Sequence, residues 1–403
     1  MNSISRVTCL LLAGWLLQVI GCGAFPEGLL DIDPPEEDTW TPVYTPVSSV
    51  DRQLLGAPGD SPDAAPSLEV TSGTVEIDTD AVTITVGDTV YTGTVRTQTD
   101  GPEVTEFTFA SIHLASNVTV TTKGSRVLSL VSKGDVVIDT TLDVSGGDGR
   151  LNEGGFGRLG GGRGGTPRVE PVTERWGTWD YAYGEEGQGK GGGKLLSRSP
   201  PGGGGFGGTG GWSEDDIWGK EVARYGGQAY GNLALVLEGG SGGGAGMPEG
   251  RQTSELPGGG GGGGCIAITA GREIRVSGAI LANGGRGCPS PDDHLPGGGG
   301  GSGGGILLSG QRLTITGTLS ARGGNSGCAS WLIPPAAGGG GGGHILLHVR
   351  DLAPEESVLT GSFDVGGGSG RAGPPSTGCT GRRDVSVDSC SRRIERSFLP
   401  ASG

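Results

Sequence analysis

Positive charge is scarce in this chain. Lys and Arg number 29 against 44 Asp and Glu, a formal net charge of −15 at pH 7. Nucleic-acid binding needs clustered Lys and Arg to neutralise phosphates, so no DNA or RNA partner is expected. Long hydrophobic runs are also missing. The longest, Val7 to Ile20, is broken by Thr8 and Gln18, and it is too short for a spanning helix of about 20 apolar residues. A 3.6-residue apolar stripe is absent between Ser67 and Val144, which argues against amphipathic helices there. Histidine occurs only four times, as His113, His294, His344 and His348. No Cys or carboxylate sits at metal-ligand spacing with His344 and His348. His344 and His348 share a strand face by their spacing and read as solvent-facing. P-loop and His-Glu-x-x-His motifs are absent. GGDGR at 146–150 and GGRGC at 284–288 lack the aspartate of calcium-binding glycine-rich rolls. No metal or cofactor is expected, and catalysis is not expected.

What is present begins at the amino terminus. Arg6 precedes the apolar run, as in the n- and h-regions of a secretory signal. The run ends in Val19-Ile20-Gly21-Cys22, which resembles the bacterial lipobox. The resemblance implies cleavage before Cys22, a diacylglyceryl thioether on its sulfur, and a membrane partner through that lipid. Each buried methylene of such an anchor contributes about 0.8 kcal/mol. Gly23 follows, without the aspartate that signals inner-membrane retention, so the expected place is the outer membrane or cell surface.

Glycine dominates the rest. It supplies 89 of 403 residues and proline 24, against a usual glycine share of about 7%. Such a composition means disorder unless it has a period. Residues 23–66 have none; they are rich in Pro and acid and read as a disordered tether. From Ser67, Val, Ile and Thr alternate at period two, broken by Gly and Asp, which is strand and turn chemistry. A repeat then emerges. Residues 127–149, VLSLVSKGDVVIDTTLDVSGGDG, align without a gap on residues 265–287, CIAITAGREIRVSGAILANGGRG, at a shift of 138. Leu128 falls on Ile266, Leu130 on Ile268, Val136 on Ile274, Ile138 on Val276, Leu142 on Ile280 and Val144 on Ala282. A further copy carries Ile306, Leu308, Leu313, Ile315, Leu319 and Ala321. A looser one carries Ile345, Leu347, Phe363 and Val365, with an insertion around Pro354 that leaves its central strand in doubt. NLALVLEGGSGGG from Asn232 reads as a fragment of another copy.

No copy can bury its apolar face alone, so the copies must stack. The expected fold is all-β, a right-handed parallel β-helix or solenoid with glycine-rich insertions, preceded by the disordered tether. A pair of packed antiparallel sheets is the other arrangement these strands allow. Glycine tracts at 258–264, 297–305 (interrupted by Ser302) and 338–343 recur about every 40 residues. Such runs lie extended as polyproline II and can bond crosswise in a sheaf. The organisation expected is a signal peptide at 1–21, an acidic Pro-rich tether at 22–66, and an N-terminal strand region at 67–145. A glycine-rich insertion with an aromatic cluster follows at 146–264, then β-helix repeats at 265–370 and a Cys-containing tail at 371–403.

The phrases GDVVIDTTLDVSGGDG and GGGSGGGILLSGQRLTITGTLSARGG resemble the glycine-rich β-helix lipoproteins of Gram-negative envelopes, frequent in myxobacteria and sometimes termed PGRS-like. The resemblance covers about residues 107–370. It implies a structural protein of the surface or outer membrane and carries no catalytic site.

Three constellations remain. Asp135, Asp139 and Asp143 alternate with Val136, Ile138 and Leu142 and form a candidate acidic face, the raw material of glycoside hydrolysis. The insertion holds Trp176, Trp179, Tyr181, Tyr183, Trp212 and Trp218 among carboxylates, suited to sugar stacking or to packing a glycine-rich segment. Cys288 and Cys328 follow the same Gly-Gly phrase in successive copies, one strand spacing of about 4.8 Å apart, and form a candidate disulfide. Cys379 and Cys390 form a second, leaving Cys265 free. The reading that follows is a lipid-anchored, non-catalytic structural or adhesive surface protein, with envelope polysaccharide or other surface proteins as partners. A carbohydrate-binding or polysaccharide-cleaving protein using the aromatic insertion is the alternative.

Overall fold

The computed structural model describes residues 65–174, 177–195, 200–211, 226–246, 255–291, 296–327, 337–349 and 357–370, with backbone alone for 170–183 and 394–398. Cys22, the tether to residue 64, Cys328, Cys379 and Cys390 lie outside the described residues. The described chain is all-β, and no helix occurs among the described residues.

It opens with β1 (Leu68–Val70) and β2 (Gly73–Asp78), then a small antiparallel excursion, β3 (Thr83–Val86), β4 (Thr89–Thr92) and β5 (Thr94–Arg96). The strands then come in threes. The first triplet is β6 (Val104–Phe109), β7 (Ile112–Leu114) and β8 (Val118–Lys123). The second is β9 (Val127–Ser132), β10 (Val136–Ile138) and β11 (Thr141–Asp143). A hairpin, β12 (Arg168–Glu174) with β13 (Gly177–Tyr183), stands in the glycine-rich insertion that follows. The third triplet is β14 (Cys265–Ala270), β15 (Glu273–Val276) and β16 (Ala279–Leu281). The fourth is β17 (Gly305–Gly310), β18 (Arg312–Ile315) and β19 (Thr318–Ser320). The fifth is β20 (His344–Val349), β21 (Val358–Leu359) and β22 (Ser362–Asp364), and β23 (Ile394–Phe398) comes last.

Corresponding strands of the triplets lie side by side. One sheet runs β23-β20-β17-β14-β9-β6-β5, a second β1-β7-β10-β15-β18-β21, and a third β11-β16-β19-β22. β8 pairs instead with β2 in a sheet ordered β4-β3-β2-β8, and Thr122 Oγ1 donates to Asp143 O at 2.6 Å, which ties β8 to β11. Every pairing between triplets is parallel.

The register is the one the repeat implies. Leu128, Ile266, Ile306 and Ile345 stack in one row, and Leu130, Ile268, Leu308 and Leu347 in the next. Val136, Ile274 and Leu313 form a row in the second sheet, and Leu142, Ile280, Leu319 and Phe363 one in the third. The aliphatic rows join one core, closed by Val144, Ala282, Ala321 and Val365. Alternation explains why. In each triplet, every second residue points inward, and only stacking removes that face from water. The central strand of the fifth copy survives its insertion as a two-residue strand paired with Thr314–Ile315. The segment from Asn232 differs from expectation. It is a turn, with Leu235 N and Val236 N both donating to Asn232 O at 2.9 Å. Asn232 Oδ1 also accepts from Ala234 N at 3.1 Å. An Asn that bonds its own downstream amides offers the chain a turn in place of a ladder.

The glycine tracts are ordered, and their bonds repeat every third residue. Gly258, Gly261 and Gly264 donate to Arg150 O, Gly147 O and Val144 O. Gly259 and Gly262 donate to Gly165 O and Gly162 O; Gly260 and Gly263 donate to Gly299 O and Ser302 O. Carbonyls of the same tract accept from Cys288, Gly285, Gly243, Gly240 and Gly155. One segment is thus bonded to neighbours all round, which is what a run with three residues per turn allows. The tract at 297–304 repeats the pattern: Gly298, Gly301 and Gly304 donate to Cys288 O, Gly285 O and Ala282 O, while Gly300 and Gly303 donate to Gly338 O and Gly341 O. From the second triplet on, the chain leaves the third strand along one segment (144–150, 282–288, 321–327, 365–370). After the second, third and fourth triplets it returns along a tract to the first strand of the next.

None of the tract glycines has a left-handed φ, so glycine is not needed there for its conformational freedom. It is needed for room. A Cβ on Gly260, Gly301 or Gly340 would overlap Gly285 O, Gly261 O or Gly301 O respectively. Gly366, at the margin, would meet nothing nearer than Asp364 Oδ1 at 3.1 Å. Thermal unfolding of two variants separates interior from margin. Gly301→Ala should lose at least about 1–3 kcal/mol through overpacking. Gly366→Ala should be neutral or slightly stabilising, because it restricts the unfolded chain.

Candidate functional site

The outer face of the first sheet is covered rather than wet. Val127, Cys265, Gly305 and His344 form one outward row, and Val131, Thr269, Ser309 and His348 another. His344 and His348 do share a face, but they are buried, at 1% and 7% exposure. The expectation of solvent-facing histidines is therefore corrected. A strand covered on both sides carries buried residues at every position, and β20 reads HILLHV with all six buried. Ser309 Oγ lies 3.1 Å from His348 Nδ1, so the imidazole is held within the sheet's outer layer.

A polar cluster links this face to the glycine segments. Ser302, buried in its tract, accepts from Ser241 N at 2.8 Å through Oγ. Ser241 Oγ in turn accepts from Gly191 N at 3.0 Å and lies 2.8 Å from the Tyr230 hydroxyl. Tyr230 also donates to Gly239 O at 2.9 Å and meets Phe206 edge-on at 5.1 Å between centroids. Burial pushes its hydroxyl well above the ordinary tyrosine range. Glu238, almost buried, pairs with Lys190 at 2.7 Å. Burial first, and the Glu238 charge second, push the Cys265 thiol far up, so it stays protonated and inert. Gly239–Gly243 and Gly300–Gly304 both spell Gly-Gly-Ser-Gly-Gly, the letters of a nucleophile elbow. Ser241 and Ser302 are buried and bonded to backbone and to each other. Their role is to replace bonds that a glycine could not make.

The three aspartates do not gather into one acidic face. Each is engaged at a different corner of its triplet. Asp135 pairs with Arg272 and accepts from Glu273 N at 3.2 Å. Asp139 accepts from Ser277 Oγ at 2.5 Å and lies 3.4 Å from His113 Nε2. Asp143 accepts from Ser145 N at 2.9 Å. They serve as turn caps and as links between neighbouring triplets.

Of the aromatic set, Trp179, Tyr181 and Tyr183 occupy alternate positions of β13, across from Val172, Glu170 and Arg168. Trp176, Trp212 and Trp218 lie outside the described residues. Cys288 carries a free thiol that donates to Pro289 O at 3.3 Å. Cys328, the partner expected for it, lies outside the described residues, and burial raises the Cys288 thiol. Cys265 is free as well.

One surface was not anticipated from the sequence. The outgoing segments stack as a layer, and their amides at every third residue point away from the tracts. Side chains of the preceding segment accept them. Ser145 Oγ accepts from Asn283 N at 3.0 Å, and Asp148 Oδ1 from Arg286 N at 2.7 Å. Asn283 Oδ1 accepts from Arg322 N at 2.9 Å, and Asn325 Oδ1 from Ser369 N at 2.9 Å. The signal was in the sequence: polar residues recur three apart in otherwise glycine-rich phrases, as Ser145 and Asp148, Asn283 and Arg286, and Arg322 and Asn325. Only the stacking shows what they face.

Comparison with family models, curated proteins and solved structures yields no match to this chain. No group of three or more His, Cys, Asp or Glu able to hold a metal occurs among the described residues.

The Asp135 pair gives a pH test. The Arg272 hydrogen bonds hold the Asp135 carboxyl below its ordinary value, and the Glu273 amide adds to this. A lowered folded pKa adds stability above the unfolded value, about 3.9, and that stability is lost as pH falls through the folded one. Arg272 is 69% exposed, so Asp135→Asn should cost less than about 1 kcal/mol at neutral pH. In urea titrations the difference from wild type should shrink as pH falls below the unfolded value and vanish once pH has passed the lowered folded one.

Proposed function

We propose that the chain is a lipid-anchored, non-catalytic structural or adhesive protein of a bacterial envelope, held through Cys22 at the outer membrane or cell surface. Its triplets are read as a right-handed parallel β-helix, since parallel crossovers take that hand in nearly all proteins. One observation carries the functional reading: polar side chains of the described repeats are spent on the scaffold. Asp135 and Asp139 link neighbouring triplets, Asp143 caps its own turn, Ser241 and Ser302 fill backbone valences, and Asn283 and Asn325 accept amides of the next segment. A body so consumed by its own bonding suits a rigid spacer or display surface. The resemblance to glycine-rich envelope lipoproteins supports the same reading, and envelope polysaccharide or other surface proteins are the partners it implies.

The alternation of Trp179, Tyr181 and Tyr183 along β13 favours a second reading, a carbohydrate-binding or polysaccharide-cleaving protein. Aromatic residues recurring at every second position of a strand have the spacing that stacking along a sugar chain uses.

Two experiments test these readings. Metabolic labelling with a palmitate analogue should mark the wild type and be abolished in Cys22→Ala; unchanged labelling would remove the anchor. A glycan array with wild type and a Trp176→Ala, Trp179→Ala variant decides the second. Tight binding lost in the variant supports glycan recognition by the insertion, and release of reducing sugar would make the protein an enzyme.

A further inference from the structure

The outward layer of glycine-rich segments follows a rule with one break in it. At every third residue the side chain of one segment accepts the amide of the next: Ser145 for Asn283, Asp148 for Arg286, Asn283 for Arg322 and Asn325 for Ser369. Two of these acceptor positions are held by arginine, which has donors only. Opposite Arg322 the next amide, Gly366 N, is accepted instead by Asp364 Oδ1 at 2.9 Å. Opposite Arg286 the next amide belongs to Asn325. Asn325 takes part in the layer through its carbonyl, which accepts from Gly287 N at 2.9 Å, and through its Oδ1. Its own N–H has no acceptor among the described residues. Arg286 and Arg322 are both exposed, and Asn325 is half-buried.

Donors therefore converge where the rule calls for an acceptor. Arg286 occupies the slot over Asn325 N–H, and Arg322 lies three residues before Asn325, one turn of the extended run and on the same face. An arginine in the slot of an unaccepted, half-buried backbone N–H suits an oxyanion, which would complete the bonding row as Asp148 does one segment earlier. We propose that this break is a binding site for the oxyanion groups of an acidic polysaccharide, centred on Arg286, Asn325 N–H and Arg322. The partner inferred is a polymer, because Arg286 and Arg322 are exposed on successive segments of one stacked layer, so a chain lying across that layer meets both. The proposal rests on the reading of envelope polysaccharide as partner. It does not depend on the lipid anchor, so labelling of Cys22 and the titration below fail separately.

The test uses the full chain in detergent, titrated at low ionic strength with polygalacturonate, dextran sulfate and neutral dextran. Binding to one or both polyanions, and none to dextran, is expected; the two polyanions separate carboxylate from sulfate preference. Arg286→Asn is the informative variant. Its side-chain oxygen would accept Asn325 N–H and restore the row, so its melting temperature should equal or exceed wild type. Its affinity for the polyanion should fall about tenfold, the worth of one charge-assisted pair. Arg322→Gln, which breaks none of these row bonds, should weaken binding in the same direction. Absence of polyanion binding by the wild type, or wild-type affinity in both variants, would overturn the site.

Discussion

A backbone amide and carbonyl at every residue must find partners once the chain is buried. In the strand triplets the neighbouring triplets supply them. In the glycine segments the partners lie in several directions at once, because successive amides point about a third of a turn apart. Satisfying them all requires neighbours on all sides, close enough that no side chain fits between. That single steric condition explains the composition. Glycine fills 258–264 because the carbonyls of Phe156, Gly240, Gly243 and Gly285 occupy the space that Cβ atoms would need. Ser302 is accommodated because its hydroxyl takes over a bond with Ser241. The sheaf is thus built on backbone bonding, with little apolar burial of its own, beside a strand core built on Ile, Leu and Val.

The two parts share one register. From the second triplet to the fifth, a triplet ends, its chain runs out and back through the glycine layers, and the next triplet pairs beside the last. The 138-residue separation between β9 and β14 does not disturb this: Leu128 still meets Ile266, and Asp139 still meets Ser277. The insertion between them forms additional glycine segments (159–165, 201–205 and 239–246) that bond to the same tracts. It thickens the sheaf without interrupting the stack.

Much of this could be read before any coordinates. Period-two alternation and the gapless shift located the apolar rows residue by residue, and the recurrence of the tracts argued for order. What escaped did so for physical reasons. The copy at 104–123 does not show in the sequence as a repeat, because its first strand, VTEFTF, carries a buried Glu106 that interrupts the apolar pattern. That carboxylate is tolerated through Arg96 at 2.7 Å. NLALVL has a strand's composition but a turn's first residue. His344 and His348 sit on a face that only the tertiary structure covers. The acidic row dissolved because Asp135, Asp139 and Asp143 find separate partners in the neighbouring triplet or at their own turn, and partners distant in sequence are invisible to local pattern. The break at Arg286 was hidden in the same way, since an arginine in a glycine phrase looks like an ordinary solvated charge until the segment beside it is known.

The central claim is that the glycine tracts are bonded structure on a par with the strands. Amide hydrogen exchange resolved to 258–264, 297–304 and 337–343 measures this directly. The account predicts protection in these tracts comparable to that of β14, β17 and β20, lost together with them on global unfolding. Exchange of the tract amides at the rate of an unfolded chain, while the strands stay protected, would contradict it.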